Sequence, residues 1–562
     1  MFQLRKLGVS TDLQSGLSLL NQWHQACGTP ASSTPDSGKW PPALRDQLPK
    51  SVLERLEDDR FTRRDGEHLR DCVLYQAVAR YAIGDADSDL QRVTRLFQHV
   101  VRNLSPGPQH PEGVPLSSYE SYLLGRGTDA DRAWLFAGLL RQLRIDAVLL
   151  RPQQEPAATD TTATDTTATD TTATDTATDT AAKASAEAEP TGNPAEKAGT
   201  PKAETLPQED RFLVAVLLND QIYLFDPRLG VPVPSLKAAA PKTSDALSPF
   251  AVATLQEAAA DPAVLEQLAT EETPYFFSHE TIRKPAVAII GESSQWARRM
   301  QELQSELTGQ QSLFVYEDLA DGQAGAGVWS RVLAAAADGD TSRLTVWSYP
   351  ESQLIGSEEL QPQHRQVVQQ LLRVFDAPLA PEAQRDQQGN QKIGFVPTRQ
   401  LWGARLAHIN GEFEEAIVTY TNIRLGAKLR LPLAIQVINQ RGADNANYWM
   451  GVCQLEQARY RVAAETFTKY LKANPEGAWV SAAQYHLALC LAARQDYTAA
   501  IAALEEIPAD HPEHAGYALL IRKWQTRSQT AAPEKETTSR KAEDTPKDPK
   551  KAAEPTEKTE QE

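Results

Sequence analysis

The last third of this chain constrains its fold most. Three stretches repeat one spacing of small and aromatic residues. Gly403-Ala404, Gly451 and Ala488 share a first small position, and Ala416, Ala463 and Ala500 a second. Phe413, Tyr460 and Tyr497 fall at one aromatic position, and Tyr420, Phe467 and Leu504 come four residues after the second small one. Apolar residues recurring every three to four positions predict helices. Small residues in fixed register with large ones predict that those helices cross closely. A single helix pair cannot bury its apolar face alone, so the units must stack. Pro475 and Pro512 close the last two units. The step from Tyr460 to Tyr497 is 37 residues and that from Phe413 to Tyr460 is 47, so the first unit carries an insertion. Lys428 to Asn439 is the expected added connection.

This register resembles the tetratricopeptide repeat, a 34-residue helix-turn-helix with small, aromatic and Pro positions at these places. The resemblance implies a groove that binds a protein partner. Its groove-facing positions would be Leu401, Arg405 and His408 in the first unit. In the second they would be Asn445, Tyr448, Val452 and Leu455, and in the third Ala482, Tyr485 and Leu489. An alternative stays open for Tyr448 and Tyr485, which as large aromatics can pack between repeats.

Ahead of the repeats the pattern is mixed. Residues 1–44 read as a short helix and a loose lead-in. Leu69, Cys72, Tyr75, Val78-Ala79 and Ala82 predict one helix, and Leu90, Val93, Leu96, Phe97 and Val100-Val101 a second. Pro106, Gly107, Pro108 and Pro111 stop it. A helix from about Asp131 to Leu143 follows, capped by Thr128 or Asp129, and then a strand at Val148 to Leu150. Residues 155–209 are low-complexity, with Asp-Thr-Thr-Ala-Thr repeating from Asp160 to Asp175. So few apolar groups cannot offset the entropy of ordering, and the segment reads as a disordered insertion inside a domain. Strands resume at Leu213–Leu218 and Gln221–Phe225, joined by the turn signal Asn219-Asp220. Residues 250–272 read as helical. Strands at Val287–Ile290, Leu313–Tyr316 and Leu344–Ser348, alternating with helices at Ser294–Leu307 and Val328–Ala336, suggest a small α/β module over 231–362.

Two runs point to a family. Gly125-Arg126-Gly127-Thr128-Asp129-Ala130-Asp131-Arg132-Ala133-Trp134-Leu135-Phe136 has the frame of a cysteine-nucleophile motif. Val214 to Pro227, ending Tyr223-Leu224-Phe225-Asp226-Pro227, resembles the other half of that site. Together they resemble the transglutaminase-like superfamily over about residues 45–230. Its pattern is Gly-x-Cys-x-Asp-Lys/Arg-Ala, and its triad is Cys-His-Asp. Here Asp129 stands at the cysteine position, Arg211 at the histidine position, and Asp226 at the aspartate position. An Asp is no thiolate, and a guanidinium stays protonated, so the family's chemistry is expected to be lost. The three residues are expected to converge as an ion cluster. Plainer roles are available too: Asp129 as a helix cap and Asp226 in a turn before Pro227. A shifted nucleophile keeps an enzyme reading open. Cys72 is one candidate, with His68 one turn away expected to be solvated, and the carboxylate pair Asp129 and Asp226 is another.

The remaining expectations follow from composition. The 562 residues carry a net charge of -17, which argues for solubility and against a nucleic-acid surface. The four cysteines form no CxxC pair, so no disulfide framework, metal site or cofactor is expected, and Cys453 and Cys490 read as buried hydrophobes. The fold class expected is α+β: a degenerate transglutaminase-like domain over 45–230, the module over 231–362, a helix and linker over 363–396, repeats over 397–525 and a disordered tail over 526–562. The function expected is a non-catalytic protein-interaction scaffold. A hydrolase or peptidase with a shifted nucleophile and a structural envelope component are the alternatives. No transmembrane segment or signal peptide is read in the sequence, which makes a cytoplasmic location the default expectation. The family resemblance implies a bacterial envelope location if the true start lies upstream.

Overall fold

The computed structural model describes residues 13–27, 50–106, 117–153, 211–237, 249–270, 273–307, 341–349, 397–428 and 433–540, with a few positions between 331 and 351. Beside the helices Leu13–Cys27 and Lys50–Glu57, the first half holds four that bear on the site: α1 (Arg63–Ala82), α2 (Asp89–Asn103), α3 (Ser118–Leu124) and α4 (Asp129–Gln142). Hydroxyl caps fix the starts of the last three. Ser88, Ser117 and Thr128 each accept a bond from the backbone N–H three residues on. At Thr128 the return bond from Asp131 completes a capping box, so Thr128 is the cap and Asp129 the first helical residue.

Six strands form one sheet: β1 (Ala147–Arg151), β2 (Leu213–Leu218), β3 (Gln221–Asp226), β4 (Val231–Pro232), β5 (Ala286–Ile290) and β6 (Leu344–Trp347). Their order is β4-β3-β2-β1-β5-β6, antiparallel except for the β5–β6 pair. The β2–β3 turn holds Asn219 at φ 46° and Asp220 at φ 65°, the left-handed pair a two-residue hairpin needs. Both faces are covered. Phe97 and Phe136 of the helices meet Phe225 on one side, and Leu255, Val264 and Ile282 lie with Leu224 and Val287 on the other. That double burial explains the unbroken apolar runs of β1, β2 and β5.

Several elements differ from the sequence expectation. Strand β5, read as part of a separate module over 231–362, pairs with β1, with Val148 opposite Ile289 and Leu150 opposite Val287. An apolar β1 with one open edge gains a second ladder this way. The described part of the stretch expected as one helix over 250–272 forms two short helices, Leu255–Ala260 and Ala263–Glu266, broken at Pro262. The helix expected at Ser294–Leu307 divides at Ala297 into Ser293–Trp296 and Arg298–Glu306. The expected strand Leu313–Tyr316, most of the expected helix Val328–Ala336 and the segments 155–209 and 363–396 lie outside the described residues.

The second half is all helical: α5 (Pro397–Ile409), α6 (Phe413–Gly426), α7 (Leu433–Glu456), α8 (Tyr460–Ala473), α9 (Val480–Ala493), α10 (Tyr497–Glu505) and α11 (His514–Arg540). Ala416, Ala463 and Ala500 are fully buried. At Gly451 a Cβ would come 2.6 Å from the Phe467 ring, so the crossing admits only glycine. Gly403 is different: it is exposed, with nothing within 4 Å of a built Cβ, and Ala404 fills the crossing instead. The extra residues of the first unit are not only a connection. They lengthen α7, which begins at Leu433, inside the segment expected as a loop. Helix α11 continues to Arg540, past the point where the tail was expected to begin, and runs through Pro533.

Candidate functional site

Asp129 and Asp226 meet at the start of α4. The fully buried Asp226 Oδ1 accepts the backbone N–H groups of Arg228 and Leu229, both at 2.9 Å, and its Oδ2 accepts the Tyr275 hydroxyl at 2.7 Å. Asp129 Oδ1 accepts the Ala130 N–H at 2.9 Å. Burial pushes the Asp129 carboxyl up to about 6, against the pull of the Ala130 bond, and the charge of Asp226 adds to the rise. The cations felt by Asp129 are Arg228 and Arg132. Arg132 is 2% exposed and donates to Leu104 O, Pro227 O and, at 2.8 Å, Glu513 Oε1 of the repeat half. Arg211 is half-buried just before β2, and among the described residues no hydrogen bond or ion pair joins it to either carboxylate. The structure therefore brings Asp129 and Asp226 together but supplies the balancing charge from Arg132 and Arg228. The sequence offered a signal for this: both arginines flank the two aspartates within three residues. Asp226 is thus engaged by two backbone N–H groups and the Tyr275 hydroxyl, and Asp129 by the Ala130 N–H.

Of the positions expected to line the repeat groove, Arg405 contacts the first half of the same chain, while Asn445, Tyr448 and Tyr485 pack within the array. Leu401, Arg405, His408, Tyr448, Val452, Leu455 and Leu489 are buried, whereas Asn445, Ala482 and Tyr485 are partly so. Arg405 donates to Asn103 Oδ1 at 3.0 Å and to the carbonyls of Asn103 and Tyr122 at 3.3 Å, and its guanidinium lies 3.6 Å from the Trp449 ring centre. Glu456 is the hub beneath it. Its carboxylate takes Asn103 Nδ2 at 2.6 Å, His99 Nδ1 at 3.0 Å and His408 Nε2 at 3.2 Å. Burial alone would raise the Glu456 carboxyl, but the two histidines hold it well below the usual carboxylate range. Burial drives His408 down to about 4, which the Glu456 bond opposes. Tyr448 packs between units, stacked on Trp479 at 4.5 Å, while Asn445 accepts the Trp479 indole N–H at 2.7 Å. Tyr485 packs on Tyr517 at 5.4 Å.

Close approach is built into the contact. Gly125 ends α3 at φ +69°, and a Cβ there would overlap the Trp449 ring. Arg126 lies over Trp479 and donates to Ala478 O. A Cβ on Gly516 would overlap the Leu229 carbonyl. A second chain could reach Arg405 and Glu456 only by displacing His99, Asn103 and Tyr122. The residues that make this contact and that the sequence did not flag are Trp449, Trp479, Glu456 and Glu513. Glu456 carried a signal, because an acid in the last turn of a helix opposes the macrodipole and needs a reason to be there.

The geometry defines an α+β domain clasped by a helical repeat array. Residues 438–523 match the tetratricopeptide repeat family, and such repeats suggest a protein-interaction role. No curated protein and no solved structure matches the chain. Among the described residues no helix is long and apolar enough to cross a membrane, and no group of three His, Cys, Asp or Glu side chains is placed to hold a metal ion.

Proposed function

We propose that the protein is an interaction scaffold in which a tetratricopeptide array grips a transglutaminase-like domain whose cleft carries no acyl-transfer chemistry. The observation that carries this reading is the engagement of Arg405, His408 and Glu456 with Asn103, His99 and Tyr122 of the same chain. The transglutaminase-like part is supported by the meeting of the α4 start with the β3 end, where Asp129 and Asp226 lie beside two arginines. With the inner helices occupied, an outside protein partner meets the array on its other side. There Val418 and Leu425 of α6 and Val462 of α8 are exposed apolar groups.

Affinity capture from the native organism tests this, using the full chain and a Val418→Asp/Leu425→Asp variant as baits. The expected result is a stoichiometric partner held by the first bait and lost by the second. A partner held better by Glu456→Ala than by the unaltered chain would return the binding site to the inner groove and overturn the reading.

A further inference from the structure

A pocket lies at the opposite end of α4 from the aspartate cluster, walled by α1, the last turns of α4 and the turn at Glu292. His68 and Cys72 are one turn apart on α1 and so share a face. The structure places Cys72 Sγ 3.4 Å from His68 Nε2, and His68 Nδ1 2.9 Å from Glu292 Oε1. His68, expected from sequence to be solvated, is 7% exposed, and Cys72 is 5% exposed. Glu292 is held in place by its own N–H, which donates to Gln295 Oε1 at 3.0 Å. With Nδ1–H donated to the carboxylate, Nε2 is the ring nitrogen left to take a proton from the thiol. That chain of nucleophile, base and orienting carboxylate is the arrangement covalent catalysis requires.

The far wall is Trp134, Gly138, Arg141 and Gln142. The amide Nε2 of Gln142 is buried and has no hydrogen-bond partner, which is costly unless something else takes its proton. The empty space, counted with its open mouth, is about 350 Å³. The part closed off from solvent has room for about one water, so an acyl group would reach Cys72 from the open side. Burial pulls His68 down, but the negative charge and hydrogen bond of Cys72, followed by Glu292, outweigh it and hold the imidazole well above its ordinary value.

We propose that Cys72 and His68, oriented by Glu292, form a thiol centre that hydrolyses small acyl thioesters or esters, separate from the transglutaminase-like cleft. The Cys72 thiolate attacks the carbonyl carbon and forms a C–S bond. Gln142 Nε2–H donates to the developing oxyanion. The bond to the leaving thiolate or alkoxide breaks, and that group takes the proton from His68 Nε2. Water then attacks the acyl-cysteine as His68 removes its proton, the carboxylic acid is released, and Cys72 departs as the thiolate. The net reaction adds one water across the thioester or ester bond and needs no other reactant. Glu292 is a positioning residue, because it acts through the ring it holds. The proposal stands apart from the scaffold reading, which concerns the repeats and the other end of α4.

The test uses the purified full chain with p-nitrophenyl acetate and a small acetyl thioester, and mass spectrometry to locate the acyl group. An acetyl adduct on Cys72 and a burst of p-nitrophenol are expected. Cys72→Ala should abolish both, and His68→Gln should slow turnover ~10²–10⁴-fold, the range for a lost general base. Glu292→Gln should move the pH profile of kcat/KM, with Glu292→Asp restoring part of it. A merely structural carboxylate would leave that profile in place. The profile is read against the other charged or titratable groups lining the pocket, which are Asp71, Tyr75 and Arg141. Iodoacetamide gives an independent readout, since Cys72 in the folded chain should be alkylated at pH 6.5 faster than the exposed Cys27. Hydrolysis that survives Cys72→Ala would overturn the proposal. So would a Cys72 no more reactive than the buried Cys453 and Cys490 in a chain that melts cooperatively.

Discussion

The two faces of the repeat array differ in what they are made of. The face turned to the α+β domain carries buried Arg405, His408, Trp449 and Glu456, with Arg405 bonded to Asn103 and Tyr122 and Glu456 to Asn103 and His99 across the contact. The face turned away carries exposed Val418, Leu425 and Val462 and solvent-facing pairs such as Arg461–Glu465 at 2.7 Å. Repeats of this kind suggest partner binding. Here the face expected to bind a partner is committed to the chain's own domain. A repeat register thus identifies an array without identifying what the array holds.

The strongest way to break this comparison is Glu456→Ala. It would leave Asn103, His99 and His408 buried without their shared acceptor and should cost about 1–3 kcal/mol for each bond left unmade, read from the denaturant midpoint. An unchanged midpoint would mean that the inner face is no interface. Asp129→Asn tests the cleft beneath that face. The Asp129 carboxyl is held near 6, above its unfolded value, so its contribution to stability is full below about pH 4 and lost as pH rises through 6. At pH 7.5 the Asn variant should therefore gain about 1–3 kcal/mol, discounted for partial exposure. The gain should fade at pH 4, and thermal melts at both pH values check the sign. A pair of glycines sharpens the contrast at smaller scale. Gly403→Ala, in open space on a helix, should stabilise by roughly 0.5–1 kcal/mol, whereas Gly451→Ala, against Phe467, should destabilise. On the outward face, Arg461→Ala should move the melting midpoint by no more than about 0.5 kcal/mol of stability. A larger loss would show that this face too is structural.

What could be read in the sequence was local. The repeat units were visible because their contacts join residues a few turns apart. The β2–β3 hairpin was visible because Asn219-Asp220 is itself a turn signal. The sheet order was not visible, since β5 and β6 pair with strands far along the chain and carry no mark of their partners. At the aspartate cluster, Asp129 and Asp226 were legible from their motif frames. The arginine expected between them, Arg211, is not the cation Asp129 feels, because a chain position two residues from a strand does not fix where a long side chain reaches. The thiol pocket was half legible: His68 and Cys72 share a helix face by spacing, but Glu292 lies 224 residues from His68. The groove's occupant was hidden for a related reason. Glu456 reads as a surface acid until Asn103, His99 and His408 surround it.

Strands β1 and β2 are direct neighbours, with Leu150 opposite Leu213, although 62 residues separate them in sequence. The two ends of the intervening segment are therefore held side by side by the ladder itself. The entropy of closing a loop rises only slowly with its length. Expansion or contraction of the five-residue Thr/Asp period leaves the register of all six strands, the aspartate cluster and the clasp of the array where they are.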